Sequence, residues 1–145
     1  VVTKSDLVMQ DTTTASARDA TLLLARILLV VLFILFGWNK LVGFSGTIHQ
    51  MTMMHLPLPT IAAAIAVIME FFVGLAIAVG LLTRPLAFLL AIYTLATAFI
   101  GHHYWTMTGP QHAANMINFY KNISIIGGLL VLSVSGAGKY SLDRQ

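Results

Sequence analysis

Four stretches of nearly uninterrupted apolar residues divide this chain, at about 21–41, 60–82, 85–105 and 115–135. Each approaches the ~20 residues that a helix needs to cross a ~30 Å hydrocarbon core. The pattern therefore predicts an all-α, integral membrane four-helix bundle spanning residues 21–135. Punctuation agrees with the divisions: Leu56-Pro57-Leu58-Pro59 precedes the second stretch, Thr83-Arg84-Pro85 separates the second from the third, and Gly109-Pro110 precedes the fourth. The brevity of the Thr83-Arg84-Pro85 link predicts an antiparallel hairpin of helices two and three. Residues 1–20 read as a frayed polar tail and residues 136–145 as a second tail. Mixed charge in the first tail, with no small-residue cleavage site after the apolar run, speaks against a cleaved signal peptide. Between the first two spans, Ser45 to His55 reads as a short interfacial helix capped by Ser45.

Composition sharpens this picture. The chain has 145 residues, 58% hydrophobic and only 9% charged, against about 25% charged in soluble domains. The length fits one domain. The net charge of +3 is the balance of eight scattered basic residues against five acidic ones, and that scatter excludes a nucleic-acid surface. With no cysteine, disulfide, thiol redox and Cys-ligated cluster chemistry are excluded. Lys4, Arg18, Arg84, Lys139 and Arg144 fall at one end of the predicted bundle, with Arg26 just inside it; Lys40 falls at the other, with Lys121 inside helix four. The positive-inside rule then places both termini in the cytoplasm and His49, His55, His102, His103 and His112 on the outer side.

Charges at bilayer depth cost at least ~2.5–3.5 kcal/mol at a helix centre, so each needs a partner or a function. Glu70 lies near the middle of the second span, on a stripe with Ala62, Ala66, Gly74 and Ala78. Small residues at this spacing permit close helix approach and point Glu70 into the bundle. Arg26, Phe33 and Lys40 share a face of helix one; Tyr93, Thr97 and Gly101 share one on helix three; Asn115, Asn118, Lys121 and Asn122 make a polar patch on helix four. The economical arrangement turns these faces toward one another, with Glu70 neutralised by Lys121, Lys40 or Arg26, and Lys121 favoured. Glu70 is then a proton relay or a register-fixing ion pair. Arg26, Lys40, Tyr93, Asn118, Lys121 and Asn122 become candidate ligand-binding residues, and a quinone head group suits such a pocket. Arg26 and Lys40, near helix ends, are alternatively snorkelling side chains.

His102 and His103 are adjacent, point about 100° apart on a helix, and do not converge on one ligand. His49 with Met53, and Met51 with His55, are each four apart. Thioether with imidazole suits Cu(I), and a surface helix burying methionine explains the same pattern. Ser124 and Gly128 form a small-residue packing pair.

As an ordered set, four groups of residues resemble the DoxX family of small bacterial inner-membrane proteins. They are Ala25-Arg26 through Phe36-Gly37-Trp38-Asn39-Lys40-Leu41; Met69-Glu70 followed by Gly80-Leu81-Leu82-Thr83-Arg84; Asn118-Phe119-Tyr120-Lys121-Asn122; and Gly136-Ala137-Gly138-Lys139-Tyr140-Ser141-Leu142-Asp143. The resemblance implies a four-helix inner-membrane fold and a loose link to oxidoreductases, one of them a thiosulfate:quinone oxidoreductase with a related membrane subunit. By position, Arg26, Lys40, Glu70, Arg84, Lys121 and Asn122 match the family's recurrent polar positions. The leading expectation is a quinone- or redox-linked membrane subunit serving a membrane or periplasmic protein partner. The alternatives are a non-enzymatic accessory or assembly protein, or a small carrier or metal-handling protein; a homo-oligomer is left open.

Overall fold

The computed structural model describes residues 3–143; Arg144, counted above toward orientation, lies outside them. All regular structure among the described residues is helical: α1 (Lys4–Val42), α2 (Phe44–Met53), α3 (Pro59–Val79), α4 (Thr83–Gly101) and α5 (Pro110–Ser135), with a 3₁₀ turn at Tyr104–Thr106. Four of these, all but α2, are long and apolar enough to span a membrane.

Four long helices coincide with the four apolar runs, with shifted ends: the first and fourth begin earlier than read, and the second and third end sooner. The largest change concerns the expected frayed tail, which is helical from Lys4 onward. A capping box explains it: Asp6 N–H donates to Thr3 Oγ1 at 3.3 Å, and Thr3 N–H donates to the Asp6 carboxylate at 2.9 Å. Two orphan donors are thus satisfied, and once nucleated a helix propagates at little cost. Helix four starts at Pro110 rather than Asn115, with proline in the first turn where its missing N–H costs nothing. The link between helices two and three lies one turn earlier than expected, at Gly80-Leu81-Leu82, and Thr83-Arg84-Pro85 is the first turn of α4. Gly80 and Leu82 both adopt left-handed backbone, φ 74° and 49°, which makes the reversal tight.

Helix α2 replaces the expected Ser45-capped interfacial helix. It starts at Phe44 behind Gly43, and no side chain caps it. It does not simply lie on the surface, because Met51 is buried against Ala63 and Ala66 of α3, beneath Tyr93.

Helix α1 packs along the length of α3, and α4 packs most extensively against α5. The sequential pair α3–α4 adjoins less closely, so the bundle is better described as two packed pairs, α1–α3 and α4–α5. Val30, Phe33, Val73, Ile77, Leu90 and Leu129 form the shared core. Large apolar side chains such as Leu28, Leu35, Phe72, Phe88, Ile117 and Val131 are exposed around it, as a lipid-facing surface requires.

In the middle of α3, Ile68–Phe72 forms a π-helical turn. A strict four-residue stripe drifts by about 40° per step round a 3.6-residue helix, and the wider turn takes up part of that drift. Ala66, Glu70 and Gly74 are consequently all buried, with Ala62 and Ala78 half-buried at either end.

Candidate functional site

The π turn carries Glu70, and α1 and α4 bring it two partners. Lys40 Nζ donates to Glu70 Oε2 at 2.6 Å, and Tyr93 OH donates to Oε1 at 2.7 Å. Each carboxylate oxygen therefore has one strong donor. The side chains are mostly withdrawn from the surface, Lys40 at 22% and Glu70 at 12% exposed. In such a setting the pair is far stronger than a surface ion pair, and correspondingly costly to break. The Lys40 ammonium also stands 5.8 Å from the centre of the Phe36 ring, a cation–π distance.

The close approach of α1 to the π turn is set by Gly37, one helical turn before Lys40. A Cβ there would strike the Phe71 amide nitrogen and come within 2.8 Å of the Glu70 carbonyl carbon. Only hydrogen at this position lets the two backbones touch. Gly74 does the same less severely, one turn on from Glu70, against Ile34 at 3.1 Å.

The expected partner of Glu70 was Lys121, and the structure corrects this to Lys40. Lys121 is exposed on α5 and donates to Asn118 Oδ1, 2.8 Å away on its own helix. Asn122 is buried. Of the six candidate ligand-binding residues, the structure brings Lys40 and Tyr93 to Glu70, and none of Asn118, Lys121, Asn122 and Arg26 hydrogen-bonds to it.

Arg26 is at the opposite end of α1, about 21 Å from Lys40 by helical rise. It is neither near Glu70 nor snorkelling: the residue is 1% exposed. Its guanidinium donates to three carbonyls, Ala78 O at 3.0 Å, Ala137 O at 2.5 Å and Tyr140 O at 2.7 Å. Carbonyl oxygens, with no carboxylate among these contacts, hold this cation.

The C-terminal loop, residues 136–143, folds back over that end. Asp143 accepts from Leu82 N–H at 2.6 Å and Thr83 N–H at 2.9 Å, capping α4 from sixty residues away in sequence. Burial works to raise its pKa, but the Thr83 and Leu82 hydrogen bonds and the Arg26 charge outweigh it and hold the carboxyl below its usual range. Gly80 makes room for the loop: a Cβ there would lie 3.0 Å from Ser141 Cα and 3.1 Å from an Arg26 nitrogen. This clasp escaped the sequence reading, in which Gly136 to Asp143 entered only as a family ending.

The His/Met segment keeps one expected face, His49 with Met53 on α2, and loses the other. Met51 is buried against α3, Met53 is 66% exposed, and His49 is exposed on α2. His55 lies beyond the end of α2 with φ 56°, so Met51 and His55 share no helical face. His102 Nδ1 pairs with Asn115 Oδ1 at 2.9 Å, His103 Nδ1 with Ile100 O at 2.9 Å, and His112 Nδ1 with Met107 O at 3.2 Å.

A DoxX family model matches residues 21–103. Among curated proteins, the chain is 52% identical over 130 residues to inner membrane protein YphA of Escherichia coli (strain K12), covering 90% of this chain and 93% of that one. It is 40% identical over 126 residues to inner membrane protein YqjF of the same organism, covering 87% and 92%. A more distant match, 25% over 129 residues, is the ER-derived vesicles protein ERV29 of Saccharomyces cerevisiae, with 89% of this chain and 34% of that protein covered. No solved structure matches.

Proposed function

The chain belongs to the DoxX family and is a multi-pass inner-membrane protein, and from that premise we propose that it is a redox-linked membrane subunit whose Glu70–Lys40–Tyr93 triad receives a quinone-class head group. The observation that carries this reading is a charged, partly accessible triad seated on a π turn inside the membrane. Intramembrane carboxylates mark ligand and proton pathways by default, and π turns recur at functional positions.

The donor set fits a carbonyl-bearing ring. Lys40 Nζ and Tyr93 OH both converge on the Glu70 carboxylate, and either could turn to a ligand carbonyl while the other holds Glu70. Reduction of a bound quinone takes up two electrons and two protons. Glu70, hydrogen-bonded to Lys40 and Tyr93, is the group that passes these protons, one at a time. No cysteine is available for electron storage, so the electrons come from a partner oxidoreductase. In this reading both termini face the cytoplasm, and the triad lies toward the outer leaflet.

A second reading has its own observation. Both Glu70 oxygens are already satisfied within the chain, as in a structural pair that fixes helix register in an accessory or assembly protein. Mild purification, solvent extraction and mass spectrometry of wild type and Glu70→Gln separate the two. A stoichiometric quinone in wild type that is lost in Glu70→Gln supports the redox subunit. Only bulk phospholipid in both samples overturns it in favour of the accessory protein.

A further inference from the structure

At the Arg26 end of the bundle, a cleft of about 460 Å³ opens between the first turn of α4, the end of α5 and the C-terminal loop. That volume lies within the range of small-ligand sites. Two arginines, Arg18 and Arg84, line it, and among the described residues neither has an ion-pair partner. Arg84 is laid across Gly136: a Cβ on that glycine would sit 3.0 Å from Arg84 Nε and 3.3 Å from Nη2. The guanidinium thus lies along the cleft wall on an otherwise exposed residue.

One hydroxyl in the same wall has no partner: Ser135 Oγ is buried without a hydrogen bond. An unpartnered buried hydroxyl costs about 1–3 kcal/mol, which a bound acceptor would relieve. The two carboxylates that line the cleft are already engaged. Asp143 accepts from Leu82 and Thr83 N–H, and Asp19 accepts from Lys139 N–H at 3.1 Å. The uncommitted groups are all donors: two guanidiniums and the Ser135 hydroxyl.

We propose that this cleft binds a phosphate-class anion, supplied either as the headgroup of an anionic phospholipid or as free phosphate. Guanidinium forks match phosphate oxygens in geometry as well as in charge, and the Ser135 hydroxyl adds a donor to the acceptor's shell. The site is independent of the Glu70 triad.

The test uses the full chain in mild detergent. Native mass spectrometry follows titration with phosphatidylglycerol or phosphatidylcholine, and inorganic phosphate is scored separately by thermal shift. A preference for phosphatidylglycerol that weakens about tenfold in Arg84→Gln, the effect of one lost charge-assisted contact, supports the headgroup. A phosphate-dependent rise in melting temperature that Arg84→Gln abolishes, with no lipid preference, supports the free anion. Arg18→Gln, at an exposed position, gives the same reading should Arg84→Gln fail to fold. Lys4→Gln removes a charge distant from the cleft. The proposal is overturned if the arginine variants bind both probes as wild type does, or if Lys4→Gln weakens binding equally.

Discussion

Gly37 on α1 lies so close to Phe71 on α3 that no side chain fits between them. Alanine normally stabilises a helix interior by about 1 kcal/mol over glycine. At Gly37 the sign reverses, because the obstructing atoms are backbone and cannot swing away. Gly37→Ala is expected to lower the melting temperature in detergent and displace the π turn. Gly46→Ala, where nothing lies within 4 Å, raises stability slightly. Equal small gains at both positions would contradict the contact.

The Lys40–Glu70 pair predicts non-additivity. Lys40→Met leaves the Glu70 carboxyl with only Tyr93 and costs about 3 kcal/mol, at the lower end for a buried pair because Lys40 is partly exposed. The double variant Lys40→Met/Glu70→Leu removes both charges and recovers much of that loss. A double-mutant cycle by chemical or thermal unfolding measures the coupling, and purely additive effects would show that the pair is not coupled.

Tyr93→Phe removes a single hydroxyl and its bond to Glu70 Oε1. Hydrogen bonds to charged groups contribute about 1.5–3 kcal/mol, so a fall of about 1.5 kcal/mol in unfolding free energy is expected. Co-purified quinone, measured in the same preparation, should fall with it. Loss of stability with quinone unchanged would place Tyr93 in the scaffold alone.

Asp143 gives the clasp a pH dependence. Its folded pKa is depressed, so its contribution is complete above the unfolded carboxyl value near 4 and is lost as pH falls through the lower folded value. Protection of the Leu82 and Thr83 amides, taken relative to their intrinsic exchange rates at each pH, should fall below about pH 4 in wild type. In Asp143→Ala it should already be lower at neutral pH, by about the 1 kcal/mol of a lost cap, and constant over the acid range. An unchanged acid response in that variant would assign the titration to another group.

Much of this was legible in one dimension. Four spans follow from apolar runs alone, and the inward aim of Glu70 follows from alanines and glycine at four-residue spacing. The identity of its partner did not follow, because Lys40, Lys121 and Arg26 all satisfy the same periodicity; the choice is made by the approach of α1 at Gly37, a three-dimensional contact. The helix in residues 4–20 could have been read from Thr3 and Asp6, whose spacing announces a cap. The cap that Asp143 places on α4 has no local signature, since donor and acceptor are sixty residues apart.

The clasp on Arg26 also has a meaning in time. The first helix enters the membrane carrying a cation whose final acceptors, Ala137 and Tyr140, lie 111 and 114 residues downstream. At ~5–20 residues per second of synthesis, Arg26 waits roughly 6 to 23 s before those carbonyls exist. During that interval it must lean toward the headgroups, which pins α1 at that end of the bilayer while the later helices are threaded. The loop that follows the fourth span thus releases a temporary anchor and converts it into a permanent lock, so a chain cut just before Ala137 would carry four inserted helices and an unfinished clasp.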